Sequence, residues 1–359
     1  MKINDLVNLR LHNQLIFHHP FKKVKDVVSW LGAVQAQDYA GAKWSLGLRA
    51  PAHSEEDIDK AISERSVVRT WPMRGTLHFI ASEVVHWMLT LLTPRIIKGA
   101  AGRYRQLELD DSIFNKSYDL LSKELQGGKQ LMRSELYALL ESNAISTTGQ
   151  RGIHIINYLA QKQLLCHGIH NDKQATYVLL DEWIPVSKKL SREEALAEIA
   201  LKYFKSHGPA TLQDFIWWTG LKVTDAKEGL NSVLDQLESF IIDQKTYWME
   251  RSLPDLVNTS RPSVHLLPGF DEYMLGYTDR TLVVDHIHLP KIVPGNNGMF
   301  MPTIVINGKI EGLWRRTLTK EKILLALLPF TKFSKTTLNQ IEIAAKKYSA
   351  YLGMDLSVQ

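Results

Sequence analysis

The chain of 359 residues contains a single cysteine, Cys166, so it can form no disulfide within itself. A single cysteine is typical of proteins located in a reducing cytoplasm. No apolar run approaches the roughly 20 residues that a membrane helix needs. The first residues include an acid, Asp5, in place of the apolar core of a secretion signal. These absences predict a cytoplasmic protein with no membrane partner.

The sequence also lacks the short motifs of several enzyme classes. It contains no GxSxG elbow, no glycine-rich phosphate loop and no HExxH zinc motif. Cys166 lies inside an apolar run, which indicates a buried, inert thiol. His286 and His288 alternate on a predicted strand, and with His265 they could hold zinc. Histidines on strands are more often surface or packing residues, so we expect no metal.

A moderate excess of positive charge is present, +5 at pH 7, which is compatible with a nucleic-acid partner. The composition, 45% hydrophobic and 23% charged, is that of a globular chain long enough for two or three domains. Residues 84–107 contain no acid but four basic residues: Arg95, Lys98, Arg103 and Arg105. A solvated basic face and a phosphate-contact patch account equally well for this cluster.

Two stretches, about 80 residues apart, share the order helix, turn, helix and two-stranded wing. The first has predicted helices over 134–142 and 150–163 with strands at 164–167 and 176–180, and the second has helices over 211–218 and 223–240 with strands at 240–242 and 246–249. This order is the pattern of winged helices, and its recurrence predicts tandem units. Arg151 and His154 lie on the polar side of the predicted recognition helix of the first stretch.

The flanking parts of the chain carry weaker patterns. We predict helices over 3–17, 24–33 and 54–64, strands over 67–71 and 76–80, a helix that starts near Ser82 and is interrupted by Pro94, strands at 264–268 and 323–328, a hairpin around Asn307-Gly308, and a terminal helix over 336–351. Residues 41–43 are predicted to form a loop.

Two uncharged amides, Gln35 and Gln37, flank Ala36 just after the second predicted helix. Residues at i and i+2 point about 200° apart on a helix but to the same side of an extended backbone. The two amides can therefore share a site only if the helix ends at or before Gln35. The pattern alone favours two surface glutamines at a helix end.

Arginine and tryptophan recur together along the chain. Five arginines fall at predicted strand ends or turns, where a guanidinium can fork onto a phosphate: Arg69, Arg74, Arg280, Arg315 and Arg316. Each alone is more often a surface charge. With Trp44, Trp71 and Trp314 close to them in sequence, they indicate a nucleic-acid groove.

Five stretches in this order resemble the AlkZ-like winged-helix DNA glycosylases over essentially the whole chain: residues 34–37 with Trp44, 69–78, 208–221, 267–280 and 312–316. The resemblance implies an α+β fold of three tandem winged helix-turn-helix units with a C-terminal β-rich segment, C-shaped with a basic concave face. The implied division is an N-terminal unit at 1–107, winged helices at 108–186 and 187–252, and the β-rich segment at 253–359.

The same resemblance implies a function. The family excises N7- or N3-alkylated purines from double-stranded DNA, including interstrand crosslinks, without a metal or organic cofactor. Its catalytic motif is Gln-apolar-Gln in the crosslink-unhooking branch and Gln-apolar-Asp in another, and Gln35 and Gln37 match the first. Asp38, Trp44 and His78 are candidates for supporting roles, although an extended backbone would turn Asp38 away from both glutamines.

The expected partner is duplex DNA with an alkylated purine or a crosslink, bound by a monomer at the bacterial nucleoid. The residues assigned to DNA contact are Lys43, Arg49, Arg69, Arg74, Lys98, Arg103, Arg151, His154, Arg280, Lys291, Arg315 and Arg316. Two other functions stay open. One is a non-catalytic DNA-binding regulator, since winged helices bind DNA more often than they cleave glycosidic bonds. The other is a metal-dependent hydrolase that uses the histidines.

Overall fold

The computed structural model describes residues 3–171, 174–184, 187–251, 263–296 and 298–358. Its helices are α1 (Ile3–Asn13), α2 (Val24–Leu31), α3 (Tyr39–Arg49), α4 (Glu55–Ser63), α5 (Val85–Gln106), α6 (Asp111–Glu124), α7 (Arg133–Ser142), α8 (Arg151–Gln161), α9 (Leu180–Trp183), α10 (Arg192–Ser206), α11 (Leu212–Thr219), α12 (Val223–Asn231), α13 (Glu272–Leu275), α14 (Leu289–Ile292) and α15 (Lys335–Leu352). Its strands are β1 (Val34–Gln35), β2 (Val67–Met73), β3 (Thr76–Ala81), β4 (Leu131–Met132), β5 (Leu165–Asn171), β6 (Gln174–Leu179), β7 (Leu237–Ile242), β8 (Lys245–Glu250), β9 (Val264–Leu267), β10 (Thr303–Ile306), β11 (Lys309–Leu318), β12 (Lys322–Pro329) and β13 (Asp355–Val358). The predicted α+β class is confirmed. Within the described ranges, no helix combines the length and the apolar character that crossing a membrane requires.

The chain divides into two compact units. Unit 1 comprises Met1–Asp59, Ala197–Trp218 and Lys222–Gln359, and unit 2 comprises Lys60–Leu196 and Thr219–Leu221. The four-part division implied by the resemblance is finer than this and stays a prediction, as do the number of winged helices, the C-shape and the basic concave face. Residues 186 and 252, at two of the predicted boundaries, lie outside the described residues.

The main sheet of unit 1 has the strand order β13-β12-β11-β10-β9. Its pairs are antiparallel except β12 with β13. The β10–β11 hairpin turns at Asn307 and Gly308 with φ values of 49° and 78°, the left-handed conformations that a two-residue turn of this kind requires. The hairpin predicted around these two residues is confirmed. Helix α15 packs against β9 and α3, so it helps to hold α3 against the main sheet of unit 1.

Aromatic side chains fill the space between this sheet, α3 and α15. The Trp44 indole N–H donates to the Leu266 carbonyl at 2.8 Å, and that of Trp314 donates to Leu267 at 2.8 Å. The Tyr348 ring lies 4.8 Å from Trp44 and 5.4 Å from Trp314, measured between centroids. Both tryptophans are buried, as is Trp71 in unit 2. All three tryptophans therefore belong to cores rather than to an exposed surface, and the nucleic-acid groove predicted from the arginines stays a prediction.

Unit 2 holds strands side by side in the order β3-β2-β5-β6-β4. Helices α7 and α8 precede the β5–β6 wing, as predicted for residues 134–180, and pack through buried leucine and isoleucine side chains. Cys166 on β5 is fully buried, and burial raises the pKa of its thiol well above the usual range. The predicted burial of the thiol is confirmed.

Several predicted element boundaries were wrong. The first helix ends at Asn13 rather than residue 17, and Leu15 adopts a left-handed φ of 59°. Helix α12 ends at Asn231, because the segment from Leu237 pairs with β8 along its whole length. Pro94 lies inside α5 without interrupting it, since one missing hydrogen bond is a small part of a helix of 22 residues.

Other corrections concern residues with proposed chemistry. Arg69 lies within β2, and Arg315 and Arg316 lie within β11, rather than at strand ends. His286 and His288 belong to a short 3-10 turn capped by Asp285, not to a strand. No group of three or more potential metal ligands forms a metal-binding arrangement in the part of the chain that is described.

Candidate functional site

The helix before the two amides ends early enough for them to work together. Helix α2 stops at Leu31, Gly32 follows with a φ of 79°, and Gln35 is part of the short strand β1. The backbone at Asp38 is also extended, with φ −87° and ψ 103°. Helix α2 therefore ends before Gln35, which is the condition under which the two amides can share a site. The Gln35 side chain is buried, 7% exposed, whereas Gln37 is exposed.

Gly32 makes this helix end possible. Its left-handed φ disfavours any residue with a Cβ, and a Cβ there would stand 3.2 Å from Cη2 of Trp218. We expect Gly32→Ala to lower the free energy of unfolding by about 1–2 kcal/mol. The measurement is urea denaturation, with Gly99→Ala as the matched control.

Gly99 lies inside α5 and has no heavy atom within 4 Å of a built Cβ. The same substitution there should raise stability by about 0.5–1 kcal/mol, since alanine favours a helix interior over glycine. Equal effects of the two substitutions would contradict a special requirement at Gly32.

A helix, not the predicted loop, follows the amides. The Asp38 carboxylate accepts the Gly41 N–H at 3.1 Å and caps α3 at its N-terminus. The capping residue satisfies one of the orphan N–H groups of the first turn, which explains why a stretch containing two glycines becomes helical. The structure therefore gives Asp38 a role in ending the extended segment.

A buried carboxylate holds the backbone of the first amide residue. Glu272, at the start of α13, is completely buried, and its Oε1 accepts the Gln35 N–H at 3.1 Å. Its Oε2 accepts the Trp218 indole N–H at 2.8 Å and lies 3.4 Å from His207 Nε2. Charge-assisted hydrogen bonds of this type are stronger than neutral ones. The backbone of Gln35 is thus held by a residue far along the chain.

A second buried pair ties the end of α3 to the same loop. Arg49 donates from Nη1 and Nη2 to the two carboxylate oxygens of Asp271, each at 2.8 Å. Ser45 also donates to Asp271 at 2.8 Å, and the Arg49 side chain is completely buried. From this position Arg49 does not reach a phosphate. Two neighbouring residues therefore hold this region: Asp271 binds Arg49 at the end of α3, and Glu272 binds the backbone of Gln35.

Lys43 is likewise occupied within unit 1. Its ammonium group lies 2.8 Å from Glu55 and 2.8 Å from Asp59, and its side chain is largely buried. Trp44 and Lys43 are neighbours on α3, and neither is presented to solvent. Trp44 packs in the core of unit 1, and the supporting role predicted for it stays a prediction.

In unit 2, the β2–β3 turn presents Arg74. Arg74 and Gly75 have φ values of 54° and 72°, the two-residue turn with left-handed conformations at both positions. Nη2 of Arg74 donates to Nε2 of His78 at 3.1 Å, and Nδ1 of His78 donates to the Thr76 carbonyl at 2.9 Å. Because a guanidinium only donates, these contacts assign a neutral His78 that orients Arg74.

The remaining predicted DNA contacts differ in exposure. Lys98, Arg103, Lys291 and Arg315 are exposed, Arg151, His154, Arg280 and Arg316 are half-buried, and Arg69 is buried. Nη1 of Arg69 lies 3.1 Å from Nδ1 of His167. Burial lowers the pKa of His167 far below its usual range. Arg151 donates to the carbonyls of Leu107 and Glu108 at the end of α5, which is a structural contact. The exposed residues are those best placed to meet a phosphate.

Sequence reasoning singled out neither Glu272 nor Asp271 as a site residue. Both lie in the stretch from Phe270 to Arg280, which is dense in aromatic and charged residues. Acids between aromatic residues in a β-rich segment are a signal of buried ion pairs, but no local pattern gives their partners. Those partners, Gln35 and Arg49, are 237 and 222 residues away.

Comparison with known proteins adds three findings. The sequence model of a family described as AlkZ-like DNA glycosylases matches residues 28–351. The chain is 25% identical over 322 residues to an interstrand DNA cross-link repair glycosylase of Streptomyces sahachiroi, covering 85% of each protein. It also resembles the solved structure of Streptomyces sahachiroi DNA glycosylase AlkZ, with a TM-score of 0.78 at 22% identity and coverage of 100% of both chains.

Proposed function

Because the chain belongs to the AlkZ-like DNA glycosylase family, a family of hydrolases that act on N-glycosyl bonds, we propose that it excises N7- and N3-alkylated purines from duplex DNA and unhooks interstrand crosslinks. The observation that carries the proposal is that α2 ends at Leu31, so that Gln35 lies on the short strand β1, with its N–H held by Glu272. The relative from Streptomyces sahachiroi, named for crosslink repair, supports the crosslink substrate.

Hydrolysis of the glycosidic bond of an alkylated purine can use amides where other glycosidases use a catalytic carboxylate. Alkylation at N7 or N3 gives the purine a positive charge, so the base leaves without prior protonation. The transition state then has oxocarbenium character, as in other glycosidic cleavages. An amide can accept from a water molecule through its oxygen and donate through its NH₂. Gln35 and Gln37 hold and orient the attacking water at the anomeric carbon, an effect worth roughly 10²–10³-fold.

DNA affinity comes from basic side chains that solvent can reach. We assign phosphate contacts to Lys98 and Arg103 on α5, to Arg74 at the β2–β3 turn, and to Lys291 and Arg315 in unit 1. Arg49 and Lys43 are not assigned to phosphate contact, because their charges are already paired with buried or half-buried carboxylates. The protein acts as a monomer on chromosomal DNA and needs no metal or organic cofactor.

The direct test is release of 7-methylguanine from alkylated duplex DNA by the purified protein. The proposed function predicts base release in the presence of a metal chelator, at a rate that follows the amount of protein. A non-catalytic regulator predicts sequence-specific binding and no release. A metal-dependent hydrolase predicts that the chelator abolishes release. A crosslinked duplex is the second substrate, and its conversion to two separable strands tests unhooking.

The pH dependence distinguishes amides from a carboxylate. Neither glutamine titrates, so the single-turnover rate should change by less than about 2-fold between pH 6 and pH 8. The measurement uses enzyme in excess over a duplex with one 7-methylguanine, so that DNA affinity does not enter the rate. A loss of rate on acidification through about pH 5 would indicate a catalytic carboxylate such as Asp38 and would sink the proposed mechanism.

A further inference from the structure

Three nitrogen atoms of unit 1 converge on the carboxylate of Glu272. The Gln35 N–H lies 3.1 Å from Oε1, while the Trp218 indole N–H and Nε2 of His207 lie 2.8 Å and 3.4 Å from Oε2. A glutamate is rarely buried completely, as this one is, unless its carboxylate is paired. The N-cap of α13 is Asp271, so the Glu272 carboxylate serves partners outside its own helix.

The protons around His207 account for a carboxylate at this depth. The Ser206 hydroxyl donates its one proton to the Lys202 carbonyl at 2.7 Å, so its oxygen accepts from Nδ1 of His207 at 2.8 Å. Nε2 and the carboxylate oxygen would both be acceptors without a further proton, so one proton lies between them. The pair of His207 and Glu272 therefore carries no net charge, which avoids the cost of an isolated buried ion.

The imidazole of His207 is held from several sides. Its ring stacks on that of Tyr203, with centroids 4.9 Å apart and planes at 13°, and the Tyr277 hydroxyl donates to the His207 carbonyl at 2.7 Å. Gly276 leaves room for the ring, because a Cβ there would stand 2.6 Å from its Cδ2. A fixed imidazole therefore backs the carboxylate that accepts the Gln35 N–H.

We propose that Glu272 is a positioning residue of the N-glycosyl hydrolysis and that His207 holds its carboxylate. This role rests on the function proposed above for Gln35. The direction of a side chain follows from the backbone that carries it, so the hold on the Gln35 N–H sets the line along which the Gln35 amide meets the attacking water. A misplacement of about 1 Å costs about 10²-fold in rate. The role requires an acceptor with the reach of Glu272 and does not require its negative charge.

Two variants of Glu272 separate the reach of the side chain from its charge. Glu272→Gln keeps the reach, because its amide oxygen can accept the Gln35 N–H while its NH₂ donates to Nε2 of His207. Glu272→Asp keeps the charge but is one methylene group shorter. In single-turnover release of 7-methylguanine, we expect Glu272→Gln to retain at least about a third of the wild-type rate and Glu272→Asp to lose about 10- to 10²-fold. Both variants should bind the duplex within about 2-fold of the wild type.

A double-mutant cycle shows whether Glu272 acts through Gln35. Glu272→Asp should lower the rate of the wild type but not that of Gln35→Ala, which has no amide left to direct. An equal fall in both backgrounds would overturn the proposal, because it would indicate support of the fold or a direct effect of the charge on the sugar. A larger loss for Glu272→Gln than for Glu272→Asp would overturn it as well, since the charge would then matter more than the reach.

Tyr273→Phe is the matched control for a lost buried contact. Tyr273 follows Glu272 on α13, is completely buried, and donates from its hydroxyl to the Gly308 carbonyl at 2.7 Å. The variant should lower the melting temperature and leave the single-turnover rate unchanged. If folded Tyr273→Phe loses as much rate as Glu272→Asp, the loss reports the packing of α13 and the proposal fails.

Amide hydrogen exchange measures the hold on Gln35 without any substrate. In the wild type, the Gln35 N–H should exchange at least about 10²-fold more slowly than in an unstructured peptide, and an unprotected N–H would overturn the proposal without any variant. Exchange should be about 10-fold faster in Glu272→Asp than in the wild type and unchanged in Glu272→Gln.

Failure of the positioning role and failure of the proposed function give different results. A wild type that releases no base overturns the proposed function. A wild type that releases base, with Glu272→Asp as fast as the wild type or with equal exchange at Gln35 in all three proteins, overturns the role of Glu272 alone.

Discussion

Replacement of Gln35 or Gln37 by alanine is expected to lower the single-turnover rate of 7-methylguanine release by about 10²-fold or more. In the proposed mechanism, each variant removes one of the two amides that hold the attacking water and does not change the leaving group. DNA affinity should stay within about 2-fold of wild type, because the phosphate contacts are proposed for other residues. The measurements are base release with enzyme in excess and binding of the same duplex at fixed salt.

The matched control is Gln126→Ala, the same substitution at an exposed position outside the predicted site. It should release the base at the wild-type rate. If both Gln35→Ala and Gln37→Ala retain more than about a third of the wild-type rate while still folded, the two amides are not the catalytic pair. If the wild type binds the duplex and releases nothing from any alkylated or crosslinked substrate, the protein is a DNA binder only.

Arg49→Met is expected to lower the free energy of unfolding by about 3–5 kcal/mol. The substitution keeps the apolar stem but leaves the Asp271 carboxylate, whose side chain is 2% exposed, without its cation. An uncompensated buried charge is far more costly than the loss of a surface ion pair. Urea denaturation measures the effect. A lower urea concentration at the midpoint with an unchanged m-value would show that the substitution changes the free energy of unfolding and not the surface exposed on unfolding.

Lys43→Met is the control on the same helix. The carboxylate partners of Lys43 have side chains that are 36% and 48% exposed, so water replaces the lost ammonium group. We expect a loss of no more than about 1 kcal/mol. Similar losses for Arg49→Met and Lys43→Met would show that the buried pair with Asp271 does not stabilise unit 1. A change in the salt dependence of DNA binding with folded Arg49→Met would return Arg49 to the DNA contacts.

Local chemistry predicted much of the architecture. The Asn307-Gly308 hairpin and the helix-turn-helix with its wing over residues 134–180 followed from turn residues and hydrophobic period alone. The condition on the helix before Gln35 followed from backbone geometry. The family resemblance then predicted the glycosylase activity, which the match over residues 28–351 confirms at the level of the family.

The errors have a common physical origin. Arg49 and Trp44 were assigned to DNA because basic and aromatic side chains mark nucleic-acid grooves, yet both are held by partners more than two hundred residues away. Residues 41–43, which lie inside helix α3, were predicted as a loop because glycine and small residues suggest a turn, and the Asp38 cap outweighs them. A linear pattern gives the type of a side chain but not the segment that will cover it.

The anchoring of Gln35 by Glu272 also has a consequence for synthesis on the ribosome. The amide segment emerges before the carboxylate that accepts the Gln35 N–H, which follows 237 residues later. At about 5–20 residues per second, the two are separated by roughly 12–50 s of translation. A nascent chain that already exposes both glutamines therefore still lacks the group that fixes their backbone. The anchored arrangement becomes available only after Glu272 has emerged.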